Sequence, residues 1–350
     1  MLGAYQFFIA TTLLPLNPLF PRVVVLATLV ALILARVKLR ISSYLLLTAL
    51  LVCFLLLGLV EYRQLLLNAL FFALILMLLF GSKVPTEEVV EACFFATACV
   101  IVLHYSMFYL GIVSSDEVVV GERARSYFGM KNPNKVGVLA YFGIVSAVLW
   151  GAYNKRFWPL LFCYIGFLLH TLVLSDSRAP LFAILFMVLF MLVPERVQSL
   201  RTLPILIIVC LGVSFYSSLY YHGTALDLIV SGRLSLNHEY LAQLDYTAWI
   251  FGASPGDFTI DNSFILLYFG LSPWLLMIGI ARLCFVRTLK FNSRSEVAFV
   301  HSIVIYGMFE SLLVRVEFPL VVLFYFLIIQ GARGQPSVGD MRALHRGNVE

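Results

Sequence analysis

Charge is what this chain has least of. Of its 350 residues only 12% are Asp, Glu, Lys or Arg, against 61% that are hydrophobic; soluble domains average about 25% charged and 45–50% apolar. The stretches 157–174 and 179–193 contain no charged residue at all. A water-soluble globule is excluded, because so few polar groups cannot cover so large an apolar volume. The net charge of +5 is spread over short loops, which orients a chain in a bilayer and does not make a nucleic-acid surface. The six cysteines, Cys53, Cys93, Cys99, Cys163, Cys210 and Cys284, fall in or at the inner edge of apolar runs with no CxxC spacing. Neither a disulfide framework nor a cysteine metal site follows. His104, His170 and His301 stand singly inside or beside apolar runs, and with no His/Asp/Glu cluster no metal site is expected. Residues 1–21 lack a basic n-region and a small-residue cleavage site, and read as a retained first helix, not a signal peptide.

What is there is a series of apolar runs. With roughly 20 residues needed per membrane span, and fewer for helices buried in a bundle, about twelve spans are predicted: 4–19, 22–36, 41–60, 64–80, 89–113, 136–153, 157–174, 179–193, 202–220, 262–281, 296–313 and 316–330. The expected architecture is an all-α polytopic membrane domain over residues 1–333, with a large outer loop at about 221–261 and a polar cytoplasmic tail at 334–350. Placing the basic cluster Arg36, Lys38 and Arg40 in the cytoplasm fixes the side of every later loop by the positive-inside rule. Lys155–Arg156, Arg196 with Arg201, the run Arg282, Arg287, Lys290 and Arg294, and the tail arginines then also lie inside, as do both termini.

The same topology leaves Arg123, Arg125, Arg178, Arg233 and Arg315 on the outer face. An arginine presents a planar, permanently charged fork suited to phosphate oxygens, so several at one surface point to an anionic partner such as a lipid diphosphate. The plainer alternative for any single one is a side chain snorkelling to the headgroups. Ser175 or Ser177 also suits a helix cap before Ala179 and Pro180, a position proline favours.

Four segments in this order, RARSYFGMKNPN (Arg123 to Asn134), SDSR (Ser175 to Arg178), SGR (Ser231 to Arg233) and DNSF with a glycine shortly after (Asp261 to Gly270), resemble the O-antigen polymerase and ligase superfamily across roughly residues 120–315. The resemblance implies a metal-independent glycosyltransferase of the GT-C type without a cofactor. Such an enzyme acts on undecaprenyl-diphosphate-linked oligosaccharide at the outer face of the bacterial cytoplasmic (inner) membrane, with a flippase and a chain-length regulator as possible partners. The ligase branch carries a histidine beside the asparagine near the end of the large loop, whereas this chain has Asp261–Asn262. That departure favours a polymerase of O-antigen, capsule or exopolysaccharide repeat units over a ligase.

Within the outer loop Leu234, Tyr240, Leu241 and Leu244 recur near helical spacing and predict a short amphipathic helix lying at the interface, with His238 and Gln243 on another face. The glycine- and proline-punctuated FGASPGDF returns Asp257 and Asp261 to the membrane. Cations that neutralise the departing diphosphate are the natural catalyst for glycosyl transfer from such a lipid. Arg178 and Arg233 are the expected diphosphate contacts, with Arg123, Arg125 and Arg315 supporting. Asp261, His238 and Glu310 are the candidate bases in that order, although Arg315, five residues beyond Glu310, is its natural ion-pair partner. Asn132, Asn134 and Asn262, with Ser175 and Ser177, are candidates for sugar hydroxyls, though asparagines near prolines also make turns. A lipid-linked oligosaccharide flippase or transporter shares this composition, but transporters favour ionisable or broken-helix sites near the midplane, and here the polar residues gather at the outer ends of spans.

Overall fold

The computed structural model describes residues 73–79, 84–113, 117–120, 123–130, 133–193, 202–253, 258, 260–270, 273–285, 291, 293–315 and 318–333. The first four predicted spans, apart from 73–79, and the tail lie outside the described residues. Helices α1 (Thr86–Tyr109), α2 (Pro133–Tyr153), α3 (Trp158–Leu174), α4 (Arg178–Leu192) and α5 (Thr202–Tyr220) meet five predicted spans to within four residues at each end. Prolines sit in the first turns of α2, α3 and α4, where the missing N–H costs nothing. Large apolar side chains such as Val102, Leu160, Phe182 and Ile205 are exposed on these helices, as suits contact with lipid.

Three short helices, α6 (Ala225–Ile229), α7 (Arg233–Leu241) and α8 (Tyr246–Phe251), occupy the loop predicted at about 221–261. They are followed by α9 (Ser263–Gly270), α10 (Pro273–Phe285), α11 (Arg294–Gly307) and α12 (Pro319–Arg333). These twelve labels are not the twelve predicted spans. Among the described residues four helices are long and apolar enough to cross a membrane: α1, α2, α3 with the preceding turn Lys155–Phe157, and α5; α9 and α10 are apolar enough to make a fifth only if the bent pair is one broken span and not a re-entrant loop. On that basis the chain is a helical membrane protein.

Three expectations are corrected. The predicted span 262–281 is two helices whose axes diverge by 115°; Pro273 can begin a helix but cannot continue one. The predicted span 296–313 ends as a helix at Gly307, and 308–314 turn back on it. A Cβ on Gly307 would lie 2.9 Å from Leu313 Cδ1, so the turn packs closely onto the helix end. The all-α reading also omits an antiparallel hairpin, β1 (Glu117–Val120) with β2 (Arg123–Ser126), paired Glu117 to Ser126 and Val120 to Arg123. The three valines of the run EVVV are β-branched, which suits a strand.

Helix α11 is the centre of the bundle. Twelve of its fourteen residues are buried, and it packs against α2, α4, α5 and α12, so it has no lipid face and needs no full spanning length. His301 on α11 is hydrogen-bonded to Val297 O (2.8 Å) and Thr202 Oγ1 (2.9 Å) and stacks on Phe190. His104 is bonded to Phe128 O at 2.8 Å. Both are interior residues that hold neighbouring segments together.

The loop helix α7 does not lie alone at an interface. It packs on α5, and Tyr240 and Leu241, with Leu244 beside them, join Ile265, Leu266 and Phe269 in one apolar cluster. Trp249 sits 5.5 Å from Phe215 and 5.2 Å from Phe269, ring centre to ring centre. The predicted stripe is correct, but it is satisfied by protein. Asp257 lies outside the described residues.

Candidate functional site

Between α4, α5, α7 and the turn after α11 lies a cavity of about 440 Å³. Among its lining residues are Arg178, Arg233, Glu310, Ser177, Asn134 and Asn262, all singled out in the sequence, and an apolar wall that includes Phe182, Phe186, Val213 and Ile229. Three local constructions deliver the polar groups.

The first is SDSR. Asp176 adopts a left-handed conformation (φ +47°), which turns the chain from α3 into α4 so that Arg178 begins the new helix. Ser177 occupies the cap position without a capping hydrogen bond. Buried Ser175 donates to its hydroxyl at 2.9 Å, so these serines bind the turn together and do not cap. Arg178 Nε donates to Asp176 Oδ1 at 3.3 Å, and about a third of its side chain is exposed (37%); no described residue bonds its terminal nitrogens, which suits them to an external anion. The turn fits because residue 137 is glycine: a Cβ there would lie 2.7 Å from the Ser177 Cβ.

The second is SGR. Ser231 (φ +64°) and Gly232 (φ +75°) are both left-handed, a conformation glycine adopts freely but that costs about 1–2 kcal/mol at Ser231, and together they reverse the chain between α6 and α7. Asp227 holds it in place. One carboxylate oxygen accepts from Leu234 N (2.8 Å) and Ser235 N (3.3 Å), and the other from Gly223 N (3.1 Å) and the Ser235 hydroxyl. Burial alone would raise the Asp227 pKa, but the hydrogen bonds from Ser235, Gly223 and Leu234 outweigh it and hold the carboxyl below the ordinary aspartate range. Arg233, the first residue of α7, is thereby fixed at the cavity wall.

The third is DNS. The Asn262 amide donates to Ser214 Oγ (3.0 Å) and Met308 O (2.8 Å), and its oxygen accepts from Phe264 N and Ile265 N. Ser263 Oγ donates to Glu310 O (2.6 Å) and accepts from Leu313 N (3.0 Å). The motif therefore stitches the turn 308–314, and with Asn262 so engaged it serves as scaffold, not as a sugar contact. Glu310, on that turn, receives Arg233 Nη2 at 2.5 Å, with both side chains about 10% exposed. The expected Glu310–Arg315 pair is not formed; Arg315 donates to Ser311 Oγ at 2.8 Å.

A second cavity of about 60 Å³ adjoins the first, with Asn134 and Glu310 lining both. It brings in Asp261 and Arg315 from the sequence candidates and adds Lys135 and Ser311. No hydrogen bond or ion pair among the described residues holds the Asp261 carboxylate. His238 lines neither cavity; it stacks face to face on His222 at 3.5 Å between ring centres. Arg123 and Arg125 lie in β2, and Asn132 is outside the described residues. Sequence reasoning missed Asp227, Gly137, Lys135, Ser214, Ser217 and Asn237. Asp227 carried a signal, an acid shortly before SGR, and Asn237 another, four residues after Arg233 on the same predicted helix.

No protein-family profile, curated protein or solved structure matches this chain.

Proposed function

We propose that this protein is a polymerase of lipid-linked polysaccharide repeat units. It transfers a growing glycan from undecaprenyl diphosphate to the next lipid-linked repeat at the outer membrane face. The observation that carries the reading is the convergence of Arg178 and Arg233 on one 440 Å³ cavity with an apolar wall. Two guanidinium forks beside apolar side chains are what a diphosphate on an isoprenoid chain requires.

In this reading the forks take up the negative charge that gathers on the diphosphate as the anomeric C–O bond breaks. The electron pair stays on the leaving diphosphate, the acceptor hydroxyl oxygen bonds to the anomeric carbon, and its proton passes to a carboxylate. Glu310 is poorly suited to receive it, because Arg233 already occupies the group at 2.5 Å; its role is to position that arginine. Asp261, without such a partner, is the base. His238 drops out, being stacked on His222 away from both cavities.

The test uses purified protein in lipid nanodiscs with one undecaprenyl-diphosphate-linked oligosaccharide and no other acceptor. A ladder in whole repeat units, with undecaprenyl diphosphate released, is the expected product. Transfer only after a different acceptor is added would mean a ligase, and no transfer with either would turn the reading toward a transporter. Arg178→Ala should slow the ladder on the order of 10²–10³-fold, and Arg178→Lys should not restore it, because the planar fork is gone.

A further inference from the structure

Asn237 is almost wholly buried (1% exposed), and its side-chain oxygen has no hydrogen-bond partner among the described residues. Among the described residues its amide nitrogen donates only a long bond to Ser218 Oγ, 3.4 Å. A buried amide oxygen left unpaired costs about 1–3 kcal/mol, and such groups are few in native proteins. Asn237 lines the 440 Å³ cavity together with Ser214 and Ser217 of α5 and with Arg178. It also follows Arg233 by four residues on α7, so the two side chains lie on one helix face, about 6 Å apart along the axis. That spacing is close to the width of one pyranose ring.

We propose that Asn237 is a specificity-determining residue that accepts a hydrogen bond from a hydroxyl of the sugar attached directly to the diphosphate. The inference rests on the function proposed above: with the diphosphate on Arg178 and Arg233, the next group along the donor is that sugar, and Asn237 is one helical turn further on. A neutral amide suits this place. It reads a hydroxyl without competing with the arginines for the phosphates, and it gives the lipid-linked sugar an advantage over the bare lipid diphosphate left after transfer. The cavity then releases its product once the sugar is gone.

The experiment measures binding of two lipids to the full-length protein in nanodiscs. One is undecaprenyl diphosphate, and the other is the lipid-linked oligosaccharide extracted from the membranes of the source cells. Wild type should bind the glycosylated lipid more tightly. Asn237→Ala should keep its affinity for undecaprenyl diphosphate, which also shows that the cavity is folded, and lose about three- to tenfold for the glycosylated lipid. Equal affinities of wild type and Asn237→Ala for the glycosylated lipid would overturn the inference and leave the proposed function standing. Loss of both lipids alike in Asn237→Ala and Asn237→Ser would also overturn it, making the residue a packing element. If wild type binds neither lipid, the functional reading itself falls, and this inference with it.

Discussion

Arg233 and Glu310 are 77 positions apart and meet in a buried pair. Taking one partner from such a pair strands the other charge away from water, at about 3–5 kcal/mol, whereas replacing both by apolar groups of similar volume is often neutral. Glu310→Gln should therefore lower the melting temperature of the purified protein and abolish polymer formation. The double variant Arg233→Met/Glu310→Leu should recover most of the melting temperature and none of the activity. A double variant as unstable as the single one would show that the pair is needed for folding, and an active one would remove Arg233 from the reaction. Each half of this pair was legible in the sequence, Arg233 in the SGR that opens the predicted loop and Glu310 near the end of an apolar run, but the partnership was not. Chain proximity favoured Arg315, and packing placed that side chain on Ser311.

Three of the four hydrogen bonds that hold Asp227 come from one element, the start of α7. Because its folded pKa is depressed, the stability it gives is fully present above the unfolded value of about 4 and is lost as pH falls through the lower folded value. Amide exchange at Leu234 and Ser235, corrected for intrinsic rates, should show protection that is constant from neutral pH down to about 4 and weakens below it. Asp227→Asn should flatten that dependence and loosen the helix start by about 1 kcal/mol; an unchanged profile would exclude the cap. At the start of α4 the controlling residue is Gly137. Gly137→Ala places a methyl 2.7 Å from Ser177 Oγ and 2.9 Å from Pro180 Cγ, and overpacking of this kind costs about 1–3 kcal/mol. It should move the Arg178 turn and reduce polymer formation. Gly212→Ala, with nothing within 4 Å, should leave both stability and activity near wild type. Comparable losses in the two variants would mean that α2 does not set the place of α4.

At the scale of the molecule, the fold brings SDSR, SGR and the turn 308–314 to one cavity, and the proposed chemistry requires that cavity to open away from the cytoplasm. Gln243, exposed at the end of α7, gives the test. In a background without the native cysteines, Gln243→Cys should react with an impermeant maleimide added to intact cells. Labelling only after lysis would invert the topology and end the outer-face mechanism. The bend between α9 and α10 matters here, because a pair diverging by 115° either spans as a broken helix or returns to the side it came from. A second cysteine at Phe285, 83% exposed at the end of α10, distinguishes them. Protection of this site while Gln243→Cys labels would mean a broken span, and labelling at both a return.

The sequence by itself determined the medium, the limits of α1 to α5 and the arginines at helix ends. Each of these depends on the local content of apolar and charged residues, and transfer into lipid acts on a segment almost independently of its neighbours. It also carried the turns at SDSR and SGR, since short polar residues and glycine are what admit left-handed backbone. Only the tertiary structure decided which charges pair, that α7 docks on α5, that Asn262 and Ser263 hold the Glu310 turn, and that His238 faces His222. Those outcomes are contacts between residues far apart in the chain, whose geometry comes from packing and has no local pattern to announce it.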